Sequence, residues 1–392
     1  MSLLPKDKTK LIERWLARLS IFGVVLLLCS PWVLTTNTLY HRLIIFMLWL
    51  PALLHLCVAR RLHKENDVIG LGLYGAFSLW YAFVLIWHSG GGELGELKLP
   101  FYILLTFLGV QVAAIHLKER FSDLLLGCAL IGGLAAGVTC LIAPDNGLRL
   151  ITFGLWNTII PAAQVVGSLM LLTAFLAFSK KRSPWLMMFV ILALIGYLGF
   201  LALNQTRWVW ISLSITTAVA AVLVNRRAGI VLLAGLALAV LLLFWWAPQA
   251  FLERGFSYRP EIWAGGVQLL AEHWVMGLGW QKFWIPVASL GISFGHPHNM
   301  LLDIGIRFGV VGLLLWSVLW LWCGYRAWLF RHFALGQASM VLWLYSGLVV
   351  LTDGTAPWEK PSPIWFVTWL PIAIILVLNK CTAHQDYKNT SV

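Results

Sequence analysis

The four residues HPHN, His296 to Asn299, stand at the mouth of one apolar run in a chain built almost wholly of such runs. Imidazole is the side chain that gives and takes protons near neutral pH. Pro297 pushes His296 towards an extended backbone, and Asn299 is a good helix cap. A helix is therefore predicted to begin at about His298 or Asn299. At a helix N-terminus the macrodipole disfavours imidazolium, and open backbone N–H groups attract anions. His298 accordingly reads as a general base acting on an alcohol beside an anionic group, with His296 and Asn299 in support. The plainer alternative is an interfacial histidine that only hydrogen-bonds to backbone.

Two upstream arginines have the matching chemistry. Arg207 lies in NQTRWVW, and Arg259 in SYRPEIW just before a short predicted helix whose first turn suits Pro260. Guanidinium forks bind phosphate oxygens in a bidentate way. Each could instead anchor a span end at lipid headgroups. No Asp-x-Asp pair or other carboxylate cluster is present to hold a divalent cation on phosphates. On this reading arginines replace the metal, and neither a metal nor a cofactor is expected. The six cysteines form no CxxC pair, which argues against a disulfide framework or a zinc site.

The elements that must position these groups are membrane spans. Of the 392 residues, 60% are hydrophobic and 11% charged, where a soluble domain carries about 25% charge. Runs of about 20 apolar residues are predicted near 19–36, 41–58, 68–88, 100–117, 121–142 and 158–179. Six more follow near 185–203, 207–224, 229–247, 303–323, 337–353 and 362–379. The expected fold is an all-α polytopic membrane protein of about twelve transmembrane helices. Its organisation is nine spans over 1–247, a long loop with short helices over 248–302, and three spans with a cytoplasmic tail over 303–392.

With the N-terminus inside, nineteen of the 28 Lys and Arg residues fall on one side and nine on the other. That bias places both termini in the cytoplasm and makes the net charge of +12 a topology signal, not a nucleic-acid footprint. HPHN, Arg207, Arg259 and the loop aromatics Trp263, Trp280 and Trp284 then share the extracytoplasmic side. No Asp or Glu lies near the middle of a span; Asp303 and Asp353 sit at span ends. Gly305, Gly309 and Gly312 are predicted to line one helix face and let a neighbouring helix approach closely. Arg307 reads as structural. The outer loop DGTAPWEKPSP brings Asp353, Trp358 and Lys360 towards the site, either as substrate contacts or as a plain turn.

These residues resemble the O-antigen ligase and polymerase superfamily, most of all its ligases. The family motif is His, then Asn, Ser or Gln, nine residues, Gly, two residues, and Gly, Thr or Tyr. Here His298, Asn299, Gly309 and Gly312 match it in full. RPEIW with HWVMGLGW resembles the family's arginine–tryptophan segment and Gly-x-Gly turn, and NQTRW its arginine at the preceding span.

The resemblance implies a metal-independent, inverting glycosyltransferase of the GT-C type. It would work at the periplasmic face of a Gram-negative inner membrane, in lipopolysaccharide biosynthesis. The donor would be a glycan on undecaprenyl pyrophosphate and the acceptor a sugar hydroxyl of lipid A–core. His298 would be the base, Arg207 and Arg259 the pyrophosphate clamp, and Trp263 and Trp280 sugar-stacking groups unless they merely anchor the interface. Two alternatives remain at this level: the related polymerase, which joins repeat units on the same carrier, and a flippase or transporter of lipid-linked sugars. The latter would need polar groups deep in the spans, such as Gln111, Thr139, Gln164 and Ser168.

Overall fold

The computed structural model describes residues 6–59, 67–88, 93–142, 149–152, 154–246 and 258–382, and is mostly helical. The expected loop segment 248–257 lies outside the described residues. Six helical stretches among them are long and apolar enough to cross a membrane: Asn37–Val58, Val68–His88, Leu94–Ile142, Ile159–Phe178, Pro184–Asn204 and Met300–Leu329. The third is two helices end to end, Lys98–Leu117 and Phe121–Ile142, with a sharp turn at Lys118, whose φ is +50°. Arg207–Leu223 and Ala334–Val349 are apolar but shorter. The chain is a membrane protein.

At its centre stands the Ile159–Phe178 helix, apolar on every side and buried from Ala162 to Ala177. A helix hydrophobic all round has no face to give to water, so the others pack about it. It touches the helices Phe121–Ile142, Pro184–Asn204 and Ala334–Val349. Close packing beside it depends on Gly133 and Gly196. A Cβ on Gly196 would lie 2.2 Å from the Gly133 carbonyl oxygen, so only glycine lets these two helices approach so far.

Three local differences from the expected pattern have physical causes. The run expected as one span over 362–379 is divided into a 3-10 turn, Pro363–Val367, and two short helices, Trp369–Leu376 and Leu378–Thr382. Pro363 and Pro371 withhold N–H groups, and each suits only a first turn. The loop before His296 adds a small β-hairpin to its helix. Ile285–Val287 (β1) pairs antiparallel with Ile292–Phe294 (β2), Ile285 facing Phe294 and Val287 facing Ile292. Ile285 and Val287 point inward, and the turn is made at Gly291, with φ +64°.

The third difference matters most for the site. Met300–Leu329 is not one continuous helix but is broken at Gly309, where φ is +66° and ψ −174°, a region open essentially to glycine alone. Gly305, Gly309 and Gly312 therefore do not form the single helical face expected from their spacing. Gly305 meets the Leu270 side chain, Gly312 meets Trp80, and Gly309 meets the backbone of Trp274 and Val275. The break frees backbone groups, and each finds a partner. The Leu278 and Gly279 amides donate to the Ile306 and Arg307 carbonyls, both at 2.8 Å, and the Val310 amide donates to the Trp274 carbonyl at 2.7 Å. The Trp80 indole donates to the Phe308 carbonyl, also at 2.7 Å. The Gly277-x-Gly279 turn, both glycines at positive φ, thus docks backbone to backbone into the break.

A methyl group on Gly309 would sit 1.9 Å from the Val275 carbonyl oxygen. Gly309→Ala is expected to cost at least about 3 kcal/mol of stability. Gly305→Ala, which meets only the flexible end of Leu270 at 3.2 Å, is expected to cost under about 1 kcal/mol. Thermal melting of the purified variants in detergent checks both.

Candidate functional site

Asn299 caps the Met300–Leu329 helix as its residue type dictates, accepting the Leu302 amide at 3.0 Å. His298 thus lies one residue before the cap rather than inside the helix. Its φ is +50°, a left-handed conformation that histidine visits more readily than most residues. The turn aims its imidazole at Asp353, with Nδ1 2.7 Å from Oδ1. A carboxylate only accepts hydrogen bonds, so the pairing assigns the ring proton to Nδ1 and leaves Nε2 to take a proton. His296 braces the arrangement. Its ring lies 3.9 Å from that of His298, and its Nδ1 accepts the His298 amide at 3.4 Å. Burial and the neighbouring His298 push the His296 imidazole below the usual histidine range.

Asp353 is held from behind. The Met300 amide donates to the Val350 carbonyl at 3.0 Å, and the Gln164 side chain donates to the Asp353 carbonyl at 2.9 Å. Asp303, fully buried, accepts the Ala356 amide at 2.5 Å and both ends of a forked bond from Arg307 Nε, each 3.2 Å. Arg307 also lies over the rings of Trp280 and Phe283, 4.7 and 5.1 Å from their centroids. The Asp303–Ala356 bond therefore fastens the segment carrying Asp353 to the helix that follows His298, and Arg307 holds the Asp303 carboxylate in place. Breaking a buried pair from one side strands the other charge, which gives Arg307 a structural part in the site.

His298, His296 and Asp353 line a cavity of about 690 Å³. A second cavity, of about 340 Å³, is lined by Arg207, Arg259 and Arg149. The two share Arg149, Ile160 and Gln164 as walls, so they adjoin. Arg207 opens the Arg207–Leu223 helix directly after a left-handed turn at Gln205, φ +58°. Arg259 opens the Arg259–Glu272 helix with Pro260 in its first turn. Burial, with Arg207 close by, draws the Arg259 guanidinium below its ordinary value, while Asp353 draws it back. No Asp or Glu is among the described residues lining this second cavity. Crowded guanidinium groups without a carboxylate make an anion-binding pocket.

The structure thus gathers His298, His296, Arg207 and Arg259 about two adjoining spaces, with Asn299 beneath as the cap. Trp280 lines a third cavity, beside Arg307. Trp263 lines none of the three. Among the described residues no group of three or more His, Cys, Asp or Glu is placed to hold a metal ion.

A family model described as O-antigen ligase matches residues 166–317, which contain Arg207, Arg259 and His298. An O-antigen ligase of Pseudomonas aeruginosa strain PAO1 is 29% identical over 389 residues, covering 96% of this chain and 94% of the relative. Over the segment that carries these three residues, the chain is similar to the O-antigen ligase family.

Two of the groups that complete the site, Arg149 and Asp353, lie outside the matched segment. Arg149 is one of the nine Lys and Arg residues that the charge bias places on the same side as Arg207 and Arg259. Its Nε donates to the Asn204 carbonyl at 2.7 Å and its Nη2 to the Thr206 hydroxyl at 2.8 Å. It therefore ties its own segment to the turn that launches Arg207. Asp353 was noted as a possible substrate contact; its place behind His298 has no local sequence signal.

Proposed function

We propose that the chain is an O-antigen ligase, transferring a glycan from undecaprenyl pyrophosphate to a sugar hydroxyl of lipid A–core. The single observation that carries this is the junction of two unlike spaces. One holds an imidazole whose Nδ1 proton is fixed by Asp353; the other holds three arginines, and Arg149 and Gln164 form part of both walls.

His298 Nε2 takes the proton of the acceptor hydroxyl as its oxygen bonds to the anomeric carbon. The bond from that carbon to the pyrophosphate oxygen breaks in the same displacement, with inversion. Undecaprenyl pyrophosphate leaves carrying the negative charge, which Arg207, Arg259 and Arg149 hold. Fixed positive charge aimed at a developing anion is a large source of rate, and here arginines supply it without a metal. The reading includes twelve spans in a GT-C-type bundle, both termini cytoplasmic, and the site facing the periplasm of a Gram-negative inner membrane. The excess of Lys and Arg on the opposite side supports that orientation.

The test is a lipopolysaccharide gel from cells lacking the native protein, with lipid-linked glycan analysed in parallel. Core without O-antigen, together with full-length polymer stranded on its carrier, is the expected result, reversed by restoring the chain. Core capped by a single repeat would make the protein the polymerase of the superfamily. A normal ladder would overturn the enzymatic reading and favour a transporter. Alanine at both Arg207 and Arg259 is expected to raise the KM for the lipid-linked donor by about a hundredfold or more, because each charge-assisted hydrogen bond lost costs roughly 1.5–3 kcal/mol. Transfer assays with purified protein at varied donor concentration check this.

A further inference from the structure

The His298 cavity has a neighbour on its other side. A third cavity, of about 510 Å³, shares Thr355, Glu359 and Ser362 with it and no lining residue with the arginine cavity. The three spaces therefore run in a row, with the arginines at one end, His298 in the middle and the third cavity at the far end. The character of the walls changes along the row. Where the first end has guanidinium groups, the far end has the carboxyls of Glu96 and Glu359, the imidazole of His41 and the ring of Trp280. Arg307 and Lys360 also reach this wall, the charge of Arg307 being matched by Asp303, so here cations and carboxyls are mixed.

These groups are fixed by hydrogen bonds and ring contacts within and behind the wall. The Trp280 indole donates to the Tyr81 hydroxyl at 2.9 Å, and its ring packs edge-on against Phe308. The His41 Nε2 lies 3.1 Å from the Pro361 carbonyl oxygen, and the Ser362 hydroxyl donates to Glu359 Oε1 at 2.7 Å. One donor is left over. The indole N–H of Trp358, a buried residue on the same wall, has no hydrogen-bond partner among the described residues. An oxygen brought to this wall would satisfy it. Carboxyls and a lysine beside an aromatic ring suit a ligand with many hydroxyls and apolar C–H faces.

We propose that this third cavity is the acceptor subsite, holding a hydroxyl-bearing sugar of the acceptor glycan between Trp280 and the carboxyls of Glu96 and Glu359. The inference rests on the transferase reading. An inverting displacement needs the entering hydroxyl and the leaving group on opposite sides of the anomeric carbon. The row supplies that order, with the leaving group among the arginines, the carbon beside His298 and the acceptor beyond Glu359. Glu359, on the wall common to both spaces, determines which hydroxyl passes through to Nε2.

The test uses the full-length chain in detergent, with undecaprenyl-pyrophosphate-linked glycan as donor and purified lipid A–core as acceptor. Glu359→Gln is expected to raise the KM for lipid A–core about tenfold and leave the donor KM unchanged, the size of one charge-assisted hydrogen bond. Glu96→Gln, at a partly exposed position, is expected to raise the same KM a few-fold, and it decides alone should Glu359→Gln fail to fold. An acceptor KM unchanged in the folded variants, or a donor KM raised by the same factor, would overturn the subsite. A wild-type chain that moves no glycan onto lipid A–core would instead overturn the transferase reading, and the subsite with it.

Discussion

His298→Ala is expected to leave cells that depend on this chain with core lacking O-antigen, while finished polymer accumulates on its lipid carrier. With purified components, transfer should fall by about 10²–10⁴-fold, the usual worth of a positioned general base. The folded state should survive, because His298 lies before the helix cap and the cap belongs to Asn299. Alanine is no more at ease than histidine in this left-handed conformation, so the substitution relieves no backbone strain. The variant should bind donor as tightly as wild type, since the arginine cavity does not include residue 298. A loss of donor affinity equal to the loss of rate would mean that His298 shapes the site and does not act as base.

Asp353→Asn should be nearly as damaging, with protein yield and melting temperature little changed. The amide keeps the shape of the carboxylate but can offer its NH₂ group to Nδ1. That would favour the tautomer in which Nε2 carries the proton and cannot accept another. In the serine protease triad the same kind of change lowers kcat by about 10⁴, and a fall of about 10²–10⁴ is expected here. The segment should stay in place, because the Asp303–Ala356 and Met300–Val350 bonds do not involve the changed side chain. The signature of a positioning role is a lower kcat at unchanged KM for both substrates. A raised KM with unchanged kcat would make Asp353 a binding residue.

Much of this was legible in the residues themselves. Hydrophobic length marked the long helices, because a span must cover the bilayer's apolar thickness. Asn299 could be read as a cap and Pro260 as first-turn proline, since both depend on local backbone chemistry. What was hidden depends on distant partners. His298 and Asp353 are 55 residues apart, and nothing at either position announces the other. Gly309 looked like a packing glycine because its spacing from Gly305 and Gly312 suits a helix face. Only the turn at Gly277 and Gly279, which occupies the gap, reveals it as a break. Arg149 sits in a short link between helices, where an arginine ordinarily signals no more than a membrane boundary.

The same break has a mechanical meaning. Main-chain bonds to the 274–279 turn hold Ile306 and Arg307 on one side of the break and Val310 on the other, while the Met300 amide holds the outer end to Val350. The short outer rod is therefore clamped at both ends, by the turn at one and by the segment after the Ala334–Val349 helix at the other. His298 is mounted at the tip of the outer rod, and Arg259 leads into the same loop. A displacement of the outer rod would have to break the bonds to the turn, the Met300–Val350 bond and the His298–Asp353 contact together, so the base keeps a fixed place.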